Sequence, residues 1–188
     1  MGDLVRLVRD GGRVTITLDS QHNRNALSQQ LVRELGECLD EAADARVIVL
    51  GHVGPAFCAG ADLKERRDDG GVDSRPMVSV MELLMDVPCP TIAAVNGAVR
   101  AGGIGLMASC DLVVVHPSVT FALTEVRIGV AAAIISVPIL RRVPPGKIAA
   151  AMLTGEPFDA AEARDIGLVS HVADDVDATV DRLCDGVL

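Results

Sequence analysis

The chain has 188 residues, about one domain, and a domain of this size buries roughly 70% of the surface its unfolded chain exposes. Apolar residues make up 49% and mean hydropathy is +0.37, which excludes disorder, yet no apolar run approaches the ~20 residues that span a bilayer. A net charge of −9, no Trp or Tyr and only three Phe argue against nucleic acid as a partner, since neither phosphate neutralisation nor base stacking is supplied.

The opening "MGDLVRLVRD" is charged and lacks an apolar core, so it does not read as a signal peptide. "LVRLVRD" and "RVTITLD" alternate as β strands joined by Gly11-Gly12, a hairpin signal. From Ser28 to Ala45, Leu31, Leu35, Cys38 and Ala42 recur at helical spacing and predict an amphipathic helix. "RVIVLG" is a short continuous apolar strand of the buried kind. Residues 68–75, "DDGGVDSR", carry no apolar pattern and predict a mobile loop. "TIAAVNG" and "DLVVVH" predict two further buried strands with a small-residue helix between them. Asp159 followed by Glu162 has the logic of a capping box. Val176, Val180, Leu183 and Val187 predict a last amphipathic helix running to the C-terminus. The class is α/β. Cys38, Cys58, Cys89, Cys110 and Cys184 form no CxxC pair and no metal-site or disulfide spacing, so no metal is expected and a cytoplasmic location fits.

Two strands lead into small-residue segments that bare the backbone: "HVGPAFCAGAD" after "RVIVLG", and "AVRAGGIGLMASCD" after "TIAAVNG". The second places Gly102 and Gly103 at a helix start, where free N–H groups favour an anion or a developing oxyanion. A lone glycine pair opening a helix is more often close packing of helix on sheet, so this signal is weak on its own. "AGGIGL" lacks the spacing of a dinucleotide fingerprint, and there is no Walker A pattern. His22, His52, His116 and His171 lack any paired spacing and read as structural or exposed. Glu125, in "ALTEVRIG", reads on its own as a solvated cap or an ion-pair partner of Arg127.

Together "AFCAGADLKE", "PTIAAVNGAVRAGGIGLMASCD", "TFALTEVRIGV" and "LTGEPFDAAEARDIGLVSHV" resemble the enoyl-CoA hydratase/isomerase, or crotonase, superfamily, in order over nearly the whole chain. The resemblance implies a crotonase-like ββα spiral core over residues 1–172, followed at 173–188 by the start of a shortened helical C-terminal part, all in one domain of 1–188. It implies an acyl-CoA thioester substrate, with no separate cofactor because coenzyme A is part of that substrate. The thioester oxygen would sit between the backbone N–H groups of Ala61 and Gly102. The coenzyme would meet His22, Asn23 and Arg24 and the stretch Ala59, Gly60, Asp62, Leu63 and Lys64, with Asp62 also capping the helix that follows. A homotrimer or hexamer is the implied assembly, with no membrane partner.

The family's best-known hydratases carry two glutamates. The second corresponds to Glu125; at the first position this chain has Gly105. Val126, Ile128 and Val130 beside Glu125 suggest a partly desolvated carboxylate. The expected activity is an enoyl-CoA hydratase-like lyase using Glu125 alone, and "AGGIGL" with "LTEVRIGVAAAIIS" is similar to bacterial hydratases of the methylglutaconyl-CoA type. A Δ3-Δ2-enoyl-CoA isomerase is the runner-up. A non-catalytic acyl-CoA-binding protein is the third reading, favoured by Gly105 and the apolar "AAAII" run.

Overall fold

The computed structural model describes residues 3–65 and 73–188. β1 (Val5–Asp10) and β2 (Arg13–Leu18) form an antiparallel hairpin in which Asp10 faces Arg13, so Gly11-Gly12 is the turn as expected, with Gly11 at φ +55°. α1 (Gln29–Glu41) starts at Ser28, whose hydroxyl accepts the Leu31 N–H. It buries Leu31, Leu35 and Leu39, while Cys38 is only half-buried. The helix stops short of the expected Ala45, because the chain must turn there for the Arg46 N–H to reach the Gly12 carbonyl beside the hairpin.

The chain then makes one move three times: a strand in a first sheet, a short strand in a second, then a helix. The elements are β3 (Val47–His52), β4 (Ala56–Cys58) and α2 (Arg75–Asp86); β5 (Thr91–Val95), β6 (Ala98–Arg100) and α3 (Gly102–Ala108); β7 (Leu112–Val115), β8 (Thr120–Ala122), a 3₁₀ turn at Thr124–Ile128 and α4 (Ala133–Leu140). After α5 (Pro145–Thr154) follow β9 (Phe158–Asp159), α6 (Ala160–Asp165), β10 (His171–Val172) and α7 (Val176–Asp185). The loop expected at 68–75 lies outside the described residues as far as 72, and its last member, Arg75, opens α2 instead.

The first sheet has the order β1-β2-β3-β5-β7-β10, parallel from β2 onward, and the second the order β4-β6-β8-β9. The central strands are mostly continuous apolar runs because both faces are covered. Ile48, Leu50, Ala93, Val95, Val113 and Val115 face the main core, whereas Val47, Val49, Ile92, Ala94 and Val114 face α7. The buried stripe of α7 is Val176, Val180 and Cys184, an i, i+4, i+8 row. Val187 lies beyond the helix end and is 40% exposed, which corrects its expected place in that stripe. The capping box of α6 forms as read, the Glu162 N–H donating to Asp159 and the Asp159 N–H to Glu162. No helix among the described residues is long and apolar enough to cross a membrane.

One reciprocal polar contact fixes the entry to the two central strands. Asp111 accepts both the N–H and the hydroxyl of the buried Thr91, at 2.8 and 2.9 Å, and the Thr91 hydroxyl accepts the Asp111 N–H at 2.8 Å. Asp111→Ala leaves two buried donors unpaired, so unfolding in urea should show a loss of about 1–3 kcal/mol at unchanged m-value.

Candidate active site

The site is assembled by stitching residues 23–28 to 59–65. The Ala59 N–H donates to the Arg24 carbonyl at 3.1 Å, and the Leu27 N–H to that of Gly60 at 2.8 Å. The Asp62 N–H reaches the Leu27 carbonyl, and the Asn23 amide donates to the Asp62 carboxylate at 3.1 Å. Asn25, to which the sequence reading gave no role, organises this region. It is buried in a left-handed conformation (φ +54°), accepts the Ser20 N–H, and donates to the carbonyls of Val53 and Ala56. Asn is the side chain that best tolerates that backbone while also bonding its neighbours.

Between these contacts the turn at 59–62 leaves one donor over. Ala59 and Asp62 donate to carbonyls and Gly60 to the Cys58 sulfur, but the Ala61 N–H has no acceptor among the described residues. Gly60 sits at φ +92°, and a Cβ on it would lie 2.8 Å from the Ala101 Cβ and 3.3 Å from the Gly102 nitrogen. This is where the chain must be glycine, because the two turns touch there. Gly102 opens α3, and its N–H likewise has no acceptor among the described residues. A Cβ there would lie 3.6 Å from the Ala61 nitrogen, so both bare N–H groups belong to one small region. Ala101, just before it, is held at φ +48° and ψ −122°, a conformation costly for a residue with a Cβ. Beneath the turn, burial pushes the Cys58 thiol up to about 12, so it stays neutral.

Glu125 reaches the same place from the 3₁₀ turn after β8. It borders a cavity of about 640 Å³ that is also lined by Ala59, Ala61, Leu63 and Gly102. Its Oε2 is buried and has no hydrogen-bond partner among the described residues. Burial pushes the carboxyl above the ordinary carboxylate range, partly offset by its own backbone N–H. The ion pair with Arg127 does not form, because that guanidinium donates to the Gly155 carbonyl at 2.8 Å. Val126, Ile128 and Val130 are themselves exposed, although Ile128 and Val130 line the cavity, so the apolar surroundings also come from farther along the chain, at Ala131–Ile135.

The other expected contact residues lie around the rim. His22 and Arg24 are exposed, and Asn23 is half-buried on the 3₁₀ turn Gln21–Asn23. Asp62 accepts the Lys64 N–H at 3.0 Å and so caps a single 3₁₀ turn, Leu63–Glu65, rather than a longer helix. Lys64 is exposed. None of the four histidines borders the cavity: His52 accepts the Asn96 N–H and stands edge-on to Phe57, and His116 accepts the Ser118 N–H. Among the described residues no cluster of His, Cys, Asp or Glu could hold a metal ion.

The sequence and the fold match known proteins over most of the chain. The family model described as enoyl-CoA hydratase/isomerase matches residues 9–183. The chain belongs to that family. It is 40% identical over 173 residues to the mitochondrial enoyl-CoA hydratase domain-containing protein 3 of Mus musculus, covering 87% of this chain and 57% of that protein. A crystal structure of an enoyl-CoA hydratase from Mycobacterium avium is 43% identical, with a TM-score of 0.89, and the match covers all of this chain (100%) and 76% of that one. The human enoyl-coenzyme A hydratase domain-containing protein 3 is 30% identical with a TM-score of 0.93, covering 98% of this chain and 77% of that one. The spiral of three strand–strand–helix units is thus the crotonase fold.

At Gly105, which the resemblance sets at the family's first glutamate, the structure leaves no room for a side chain as it stands. A Cβ on Gly105 would lie 2.5 Å from Ile135 Cγ2 and 2.7 Å from its Cβ, so the space is already occupied.

Because burial raises its pKa in the folded state, Glu125 binds a proton more readily folded than unfolded. Stability is then highest below the unfolded pKa and falls as pH rises through the folded one. Glu125→Gln should be more stable than the parent at neutral pH, with the gap closing as pH falls toward about 4, the ordinary carboxylate value, and flat below it. Paired urea titrations across pH check this; a gap that is constant with pH would contradict it.

Proposed function

We propose that the protein is an enoyl-CoA hydratase-like lyase that adds water to a 2-enoyl-CoA thioester with one acid–base residue. The observation that carries the reading is the unpartnered, buried Glu125 oxygen on the same cavity as the two bare N–H groups of Ala61 and Gly102. In this reading the thioester carbonyl accepts both N–H groups, which draws electron density from the β carbon. Glu125 takes a proton from water as its oxygen bonds to that carbon. The electron pair moves onto the thioester oxygen as an enolate, held by the same donors. Glu125 then returns the proton to the α carbon, and the carbonyl re-forms. A pKa above the usual carboxylate range suits both halves, since the group must accept and give up a proton near neutrality.

Coenzyme A would lie along the rim formed by His22, Asn23, Arg24, Ala59, Gly60, Asp62, Leu63 and Lys64. The exposed Arg24 and Lys64 are its candidate phosphate partners despite the acidic total. Gly105 with Ile135 against it favours a second reading: one carboxylate with no partner suffices to move a proton in a Δ3-Δ2-enoyl-CoA isomerase. We also place the chain in the cytoplasm and in a trimer or hexamer. The exposed Val137, Leu140 and Leu153 would be covered by subunit contacts.

Steady-state assays on 2-enoyl and 3-enoyl thioesters separate these readings. Turnover of 2-butenoyl-CoA to the 3-hydroxy product is expected, with conversion of the 3-enoyl thioester alone favouring the isomerase. Glu125→Gln should cut turnover by about 10²–10⁴ with KM little changed. Gly102→Pro removes one donor and should cost about 10²–10³. A folded proline variant of full activity would remove Gly102 from the mechanism. Sedimentation should show a trimer-based species, and a monomer at micromolar concentration would contradict the assembly.

A further inference from the structure

Given an acyl-thioester substrate, we propose that Ile135 sets the acyl selectivity of the site, closing the space one helical turn beyond Gly102 so that only an unbranched, apolar acyl group fits. The proposal rests on the substrate reading above but concerns a different wall of the cavity. Gly105 follows Gly102 by three residues on α3, so its side-chain direction points to the same face of the helix. That direction is blocked. Ile135 Cγ2 stands 2.5 Å from where a Cβ would be, and Met81 Cε closes the third side at 3.0 Å. Ile135 is 2% exposed and borders the cavity together with Gly102 and Glu125, whereas Gly105 behind it does not. The side-chain direction of Gly105 is therefore filled by Ile135 at the edge of the cavity.

This wall is stiff as well as apolar. A β-branched side chain in a helix is confined at χ1, and the buried Met81 from α2 backs the same spot. With the carbonyl on the N–H of Gly102 and the α and β carbons toward Glu125, the acyl chain has to pass Ile135. A methyl branch on the β carbon competes for the same volume. A hydroxyl or carboxylate placed against this wall loses water and gains no partner from it. The proposal therefore points to straight-chain hydrocarbon thioesters and away from a branched, carboxylate-bearing acyl group.

Two readouts test it, one of which needs no turnover. Calorimetry compares binding of butyryl-CoA and 3-methylbutyryl-CoA, and kinetics compare 2-butenoyl-CoA with 3-methyl-2-butenoyl-CoA. The parent should favour the straight chain by about tenfold or more in each, the range one methyl group commands in a tight apolar pocket. Ile135→Ala should bring both ratios to within about threefold, and Ile135→Val should fall between. A parent without preference, or a ratio unmoved in folded Ile135→Ala, overturns the assignment. If the alanine variant does not fold, an unmoved ratio in Ile135→Val overturns it equally. Should the saturated thioesters bind with the expected ratios while neither enoyl thioester is turned over, Ile135 keeps its role and the hydratase reading falls. If neither saturated thioester binds, the selectivity assignment falls as well.

Discussion

Two turns from different strands touch at a point where there is no room for a Cβ, and the cavity is organised around that contact. Gly60 lies against Ala101 and the Gly102 nitrogen, and only its missing side chain allows the approach. The same contact leaves the N–H groups of Ala61 and Gly102 without acceptors on adjoining backbone. Unpaired N–H groups are costly when buried, so a turn of this kind persists only where its surroundings determine it. Here they do so by several routes. Leu27 and Asp62 bond across the turn, Asn25 holds the segment beneath it, and the Cys58 sulfur accepts from Gly60.

That rigidity originates in the two-faced first sheet. β3, β5 and β7 each run straight into the second sheet through β4, β6 and β8, so the cavity segments leave from strands that are fixed on both sides. The turn at Gly60 follows β4, Gly102 follows β6, and Glu125 follows β8. Three consecutive repeats of one supersecondary unit thus each contribute one element of the cavity. A carboxylate raised in pKa by burial lowers stability at neutral pH, and the large core of a 188-residue chain can carry that cost.

The sequence was most legible where local patterns and tertiary burial agree. The hairpin, α1, the central strands, the capping box and α7 were readable because alternation, helical spacing or cap chemistry stands in the residues themselves. β4, β6 and β8 have three residues each, too few for alternation to register, so the second sheet was hidden. α4 is apolar on every side and carries Pro138 inside, which removes the amphipathic signal. α2 was passed over although Met77, Val80, Met81 and Leu84 recur at i, i+3, i+4 and i+7, the stripe it turns inward. For the cavity residues, glycine pairs and small residues were ambiguous individually. Ordered resemblance across four motifs brought Ala61, Gly102 and Glu125 together on paper, and the cavity brings them together in space. Asn25 was not legible, since a buried side chain with three backbone bonds has no composition signature.

Gly105 and Ile135 show why a residue type alone does not describe a site. Read in sequence, Gly105 is a missing carboxylate, which weakens the expectation of catalysis. Read in space, it is one half of a complementary pair, and the "AAAII" run that looked like a second sign of lost function supplies the other half. An eroded position would leave a void, and a void forfeits dispersion contacts along its lining. Here the volume is filled by a buried isoleucine backed by Met81, so the core at this point is packed rather than vacated. A packed apolar wall and a buried carboxylate oxygen without a partner among the described residues border the same cavity. Ser74, Thr124 and Arg127 join Glu125 as the polar side chains bordering this cavity, and the rest of its lining is apolar or small.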